Sequence, residues 1–167
     1  MDDKIKCMKK LKVAFFSLTC DEGCSINFLE LLNSKYKDWK DFIEFKAFRL
    51  LQSKEDISDI DVAFVEGAVS TDKEKRRLET IRNASKKLVA VGSCAISGSP
   101  SNARNFFDSE TVEEIKPVLE KFGHIDKVLA VKDVVNVDEE VPGCPMLENK
   151  MVEIVEKYLK DFGVSNA

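Results

Sequence analysis

Val13-Ala-Phe-Phe-Ser-Leu-Thr-Cys-Asp-Glu-Gly-Cys24 decides how the whole chain is read. Val13–Ser17 is a short apolar run, of the kind buried on both faces in a parallel sheet. A loop carrying Cys20, Cys24 and Gly23 follows, and an apolar helix is predicted from about Ser25 to Ser34. Strand, short loop and helix in that order open an α/β unit.

The rest of the chain continues the alternation. Phe42–Phe48 alternates apolar and polar residues and predicts a strand with one wet face; Asp61–Val65 predicts a buried strand ending at Glu66-Gly67. Asp72–Ala84 predicts a charged helix with Leu78 and Ile81 facing inward, and Leu88–Val91 a buried strand closed by Gly92. Val112, Ile115, Val118, Leu119 and Phe122 keep helical spacing, with Pro117 expected to kink or restart that helix. Val128–Val131 and Val134–Val137 are β-branched runs, of which at least one is predicted to be a strand. After a turn at Pro142-Gly143, Pro145 suits the first position of a last helix, whose stripe is Leu147, Met151, Ile154, Val155 and Tyr158. The order predicts an open, mostly parallel, flavodoxin-like sheet with helices on both faces. An N-terminal arm is expected at 1–10, one domain at 11–162 and a tail at 163–167. Tyr36 and Trp39 read as a partly exposed helix end, and Phe106-Phe107 as core.

Composition narrows the function classes. With 167 residues, 44% apolar and 34% charged, the chain has the balance of an ordinary globular domain. A net charge of −4 argues against a general nucleic-acid binder. No apolar run approaches the ~20 residues of a membrane span, and Met1–Lys10 lacks the apolar stretch of a signal peptide. The expected location is the cytoplasm, where disulfides are uncommon, so the five cysteines read as metal ligands, catalytic thiols or small buried hydrophobes. A single histidine, His124, disfavours a His-rich zinc site.

Cys20 and Cys24 fall after the first strand, Cys94 after the Leu88–Gly92 strand, and Cys144 after the late β-branched region. Parallel strands present their carboxyl ends at one sheet edge, so four thiols from three loops can surround one centre. Gly23, Gly92, Gly98 and Gly143 let backbone come close to an inorganic core. The helix starts expected at Ser25 and Pro145 favour negative charge. Thiolate softness selects an iron–sulfur cluster or zinc. Zinc sites usually come as two close cysteine pairs, whereas Cys94 and Cys144 stand alone. Cys7 lies before the first strand, at the wrong edge, and is read as a non-ligand.

Four stretches carry a resemblance: Phe15-Phe-Ser-Leu-Thr-Cys-Asp-Glu-Gly-Cys24, Ala63-Phe-Val-Glu-Gly-Ala-Val-Ser70, Val89-Ala-Val-Gly-Ser-Cys-Ala95 and Pro142-Gly-Cys-Pro145. In order and spacing, over residues 11 to 160, they resemble the small subunits of nickel-iron hydrogenases, a family shared with a cluster-bearing 20 kDa subunit of respiratory complex I. The resemblance implies one 4Fe-4S cluster relaying single electrons, with Cys24, Cys94 and Cys144 as ligands and Glu66, Gly67, Gly23, Gly92 and Gly143 near the cluster. It also implies two partners: a large subunit with the nickel-iron centre, and a further iron–sulfur or flavin subunit. Members of the family usually read Cys-x-x-Cys in the first loop. Here the residue three before Cys24 is Asp21, so Cys20 is expected as fourth ligand and Asp21 is the alternative. The length resembles that of the short small subunits of soluble hydrogenases. The competing readings are a subunit of a complex I-like or membrane-linked oxidoreductase, which typically has adjacent cysteines in this loop, and a flavodoxin-like flavin or zinc module. Against flavin, acids and cysteines occupy the loop where a phosphate would sit.

Overall fold

The structure, a computed structural model, describes residues 9–164. Of the expected arm and tail, residues 1–8, including Cys7, and 165–167 lie outside the described residues. Five parallel strands form the main sheet: β1 (Leu11–Ser17), β2 (Ile43–Phe48), β3 (Ile60–Glu66), β5 (Ser85–Val91) and β7 (Glu139–Val141), in the order β2-β1-β3-β5-β7. Two short strands, β4 (Val69–Thr71) and β6 (His124–Leu129), pair antiparallel beside it. The helices are α1 (Gly23–Ser34), α2 (Tyr36–Trp39), α3 (Asp72–Ala84), α4 (Gly92–Ser97), α5 (Ser109–Lys121) and α6 (Glu148–Asp161). The expected flavodoxin-like α/β sheet is present, and the strand order reverses between β1 and β3.

Alternation along the central strands divides the core between two faces. Phe15, Phe64, Val62 and Val89 point to the face covered by Phe28 and Leu31 of α1 and by Met151, Ile154 and Tyr158 of α6. Ala14, Phe16, Ala63, Val65 and Leu88 point to the other, against Leu78 and Ile81 of α3 and Ala95 of α4. Every residue of β3 is buried. Phe15 stacks on Phe28 at 5.2 Å between ring centroids and contacts Phe48 at 5.3 Å, so the residues before the first cysteine loop are set in an aromatic cluster.

Several expectations are corrected. Of the two β-branched runs the first enters a strand, as expected of at least one, whereas Val134–Val137 does not; Asp133 accepts from the Ala130 amide at 2.9 Å and closes a 3-10 turn, Val131–Asp133, between them. The fifth sheet strand is the later Glu139–Val141. Val128 and Leu129 end β6, which joins β4 rather than the main sheet. Pro117 sits within α5 without breaking it, on a helix with no buried residue, so the carbonyl that loses its backbone partner is not shut away in the core. Trp39 is buried, whereas Tyr36 of the same short helix is exposed. Phe106 and Phe107 are exposed, not core. Their segment is fixed by its polar neighbours: the Arg104 guanidinium donates to the Ile125 carbonyl at 2.5 Å, and Asn105 brackets the Val128 backbone at 2.8 Å on both sides. Those anchors leave the two rings outside.

Among the described residues, no helix is long and apolar enough to cross a membrane. Phe28→Ala is expected to lower stability by about 3–5 kcal/mol in urea unfolding, and Phe106→Ala to change it by no more than about 0.5 kcal/mol.

Candidate metal centre

The site is assembled at the carboxyl edge of the sheet, beside the reversal of strand order. Leaving β1, Leu18 donates its amide to the Glu66 carbonyl at 2.9 Å, and Thr19 pairs with Ala68 in an isolated bridge. The first cysteine loop is thus fastened to the exit of β3. Glu22, in the left-handed region at φ 63°, turns the chain into α1 and supplies no side-chain cap. The cap comes from across the sheet. Glu66, 1% exposed, accepts from the Ser25 amide at 3.1 Å and from the Ser17 hydroxyl at 2.7 Å. Ser17 and Glu66 are register partners in adjacent strands, which is why they meet.

The other loops are tied to this one. Ser93, before Cys94, donates its amide to the Gly143 carbonyl at 2.8 Å, and Asn27 of α1 donates to the Met146 carbonyl at 3.1 Å. A Cβ on Gly92, at φ +81°, would lie 2.5 Å from the Cys24 sulfur, so only glycine lets β5 turn this close to the thiol. Gly143, at φ +117°, is similarly confined by the Pro145 carbonyl at 2.5 Å. Pro145 does not start the last helix. Pro142 to Leu147 form a tight turn closed by a 2.8 Å bond from the Leu147 amide to the Pro142 carbonyl, and α6 begins at Glu148. The first helix starts at Gly23, two residues earlier than expected.

These loops enclose a cavity of about 230 Å³. Cys20, Cys24, Cys94 and Cys144 line it together with Asp21, Gly23, Glu66, Gly67, Gly92 and Gly143, so these residues singled out in the sequence meet at one place. Gly98 is not among the lining residues. All four thiols are free; Cys144 is exposed and the other three are half-buried. Among the described residues, no group of three or more His, Cys, Asp or Glu side chains is placed to hold a single metal ion. Asp21 has a local task, accepting from the Gly23 amide at 3.0 Å. The Cys20 sulfur accepts from the Glu22 amide at 3.4 Å. Ser17, Asn27 and Ser101, which support the site, were not singled out in the sequence, because an isolated Ser or Asn carries no spacing signal.

Among the described residues, no Lys, Arg or His lines the cavity. Burial, then the Glu66 carboxylate and the neighbouring Cys94 thiol, push the Cys20 thiol up to about 12. Burial also raises Cys24, to about 11, against a hydrogen bond with the Met146 backbone that works the other way; Glu66 adds to the rise. Soft sulfur donors beside a buried carboxylate, with no basic side chain, fit a soft and strongly cationic centre and disfavour a bound anion.

The sheet topology places the chain first in a class, the α/β domains with an open, parallel, flavodoxin-like sheet. The particular family follows: residues 20–158 match the family described as NADH ubiquinone oxidoreductase, 20 Kd subunit, and the chain belongs to it. It is 32% identical to the sulfhydrogenase 2 subunit delta of Pyrococcus furiosus, over 92% of this chain and 67% of that subunit. It is 28% identical to the NAD-reducing hydrogenase HoxS subunit delta of Cupriavidus necator, over 81% of this chain and 72% of that one. Against a subunit of the F420-non-reducing hydrogenase of Methanothermobacter marburgensis it is 26% identical, over 91% of this chain, and spans 54% of the relative's length. The fold matches a chain of an NAD+-reducing NiFe-hydrogenase in the H2-reduced state with a TM-score of 0.79, at 24% identity, covering 92% of this chain and 93% of that one.

In metal-free protein at about pH 8, Cys20 and Cys24 are expected to react with iodoacetamide roughly a hundredfold or more slowly than an exposed free cysteine, because so little thiolate is present. Their folded values lie above the unfolded thiol value of about 8.5. The stability contributed by the protonated thiols is therefore present below about pH 8.5 and lost as pH rises through 11 to 12. Peptide-resolved alkylation and urea midpoints across that range check both statements.

Proposed function

We propose that the chain is the electron-transfer small subunit of a soluble nickel-iron hydrogenase, carrying one 4Fe-4S cluster on Cys20, Cys24, Cys94 and Cys144. The observation that carries this reading is the convergence of four thiols from three strand-end loops on one cavity without basic residues. Zinc sites usually come as two close cysteine pairs, whereas Cys94 and Cys144 stand alone in sequence, which favours an iron–sulfur core. The hydrogenase subunits among its relatives support the same reading. Cys20 is preferred to Asp21 because thiolate is the usual cluster ligand and the Asp21 carboxylate already accepts from Gly23.

When bound, the cluster supplies one-electron storage at modest structural change. The residues of this chain do the rest. The cysteines give up their protons on metal loading, so the raised values of Cys20 and Cys24 make loading pH-dependent. Glu66 fixes the start of α1 and hence the position of Cys24. Gly92 lets backbone approach the Cys24 sulfur, where amides tune the potential, and Gly143 permits the tight turn that presents Cys144. In this reading, a large subunit carries the nickel-iron centre, a further iron–sulfur or flavin subunit carries electrons onward, and the assembly is cytoplasmic.

Anaerobic purification with native partners, followed by iron, acid-labile sulfide, zinc and nickel analysis and EPR of the reduced sample, tests this. About four irons and four sulfides on this subunit, with nickel in a co-purifying larger subunit, are expected. Zinc without sulfide would overturn the cluster, and a loaded cluster with no nickel in the complex would favour the complex I-like branch. Cys20→Ala is expected to lose iron and Asp21→Ala to retain it. Gly92→Ala, whose methyl would displace the Cys24 sulfur, is expected to keep its far-ultraviolet circular dichroism while iron per chain falls to a small fraction of wild type.

A further inference from the structure

The segment after α4 returns to the site. Ser101 Oγ lies 3.4 Å from the Cys94 sulfur and 3.4 Å from the Thr19 carbonyl oxygen. Thr19 immediately precedes Cys20, so one half-buried hydroxyl spans the two loops that present Cys20 and Cys94. The segment that carries it is fastened to its neighbours. The Asn102 amide donates to the Gly98 carbonyl at 2.8 Å, and Asn105 and Arg104 fasten the following turn to β6.

We infer that Ser101 is a positioning residue of the cluster, donating its hydroxyl proton to the Cys94 sulfur and thereby raising the cluster's reduction potential; this rests on Cys94 being a ligand. The argument is electrostatic. A ligating cysteine is deprotonated and has only acceptor capacity towards Ser101, so the hydroxyl must be the donor. Reduction adds negative charge to the cluster and its sulfurs, and a hydrogen bond to a sulfur stabilises the reduced state more than the oxidised one. The Thr19 carbonyl, which has no proton to give, competes for the same hydroxyl and holds it in place between the loops.

The test is a redox titration of the native complex, following the reduced-state EPR signal that is altered in Cys94→Ser, with iron and sulfide measured on each preparation. Ser101→Ala is expected to keep iron and sulfide at the wild-type level and to shift the midpoint to more negative potential. At the wild-type midpoint, the reduced-to-oxidised ratio should fall roughly threefold or more. Ser101→Thr, which keeps a hydroxyl, should restore the wild-type midpoint. Should Ser101→Ala lose its cluster, Ser101→Cys replaces it, and its weaker donor should again give a more negative midpoint. A loaded Ser101→Ala complex with an unchanged midpoint overturns the role of Ser101 while leaving the proposed function standing. A wild-type complex without iron and sulfide overturns both.

Discussion

The arrangement turns on one buried carboxylate. Glu66 ends the central strand of the sheet, and taking its charge out of water is costly unless it is hydrogen-bonded. The two bonds that offset the cost are to Ser17, at the end of the neighbouring strand, and to Ser25, in the first turn of the helix that follows. One side chain therefore relates β1, β3 and α1 at the point where the strand order reverses. The first helix has no cap of its own, so its start, and with it Cys24, is located from across the sheet. The same carboxylate makes the cavity hostile to further negative charge unless a cation is present.

What the sequence made legible follows from which forces act locally. Strands buried on both faces announce themselves as apolar runs, and the glycine and cysteine punctuation at their ends marks the sheet edge. For that reason the order of elements, the parallel sheet and the gathering of the cysteines could all be read from Val13–Ser17, Asp61–Val65 and Leu88–Val91. The misreadings share another cause. Phe106 and Phe107 are turned outward by Arg104 and Asn105, which bond to backbone some twenty residues away, and no periodicity encodes that. Trp39 sits among lysines and aspartates yet fills the core with Phe48 and Ile43. Asp133 stops a β-branched run with a single hydrogen bond.

The support around the thiols was harder to see than the thiols. Cysteine is rare enough that its position carries information, whereas Ser17, Asn27 and Ser101 are ordinary residues whose importance exists only in three dimensions. Gly92 lies between these cases: its place after a buried strand suggested a turn, and the structure adds that its missing side chain is the space occupied by the Cys24 sulfur.

The four corners of the site come from distant parts of the chain, with a consequence for synthesis on the ribosome. Cys20, Cys24 and Cys94 emerge early, but the loop of Cys144 is carried by β7, a three-residue edge strand, and leads into α6, which completes one face of the core. Until α6 has docked, that loop has its β5 pairing and its bonds to Ser93 and Asn27 but not the core packing of Met151, Ile154 and Tyr158 behind it. Nascent chains therefore expose an open, three-thiol edge, and the enclosure becomes complete only once the residues of α6 have left the tunnel. Chains cut short before α6 therefore lack the finished enclosure.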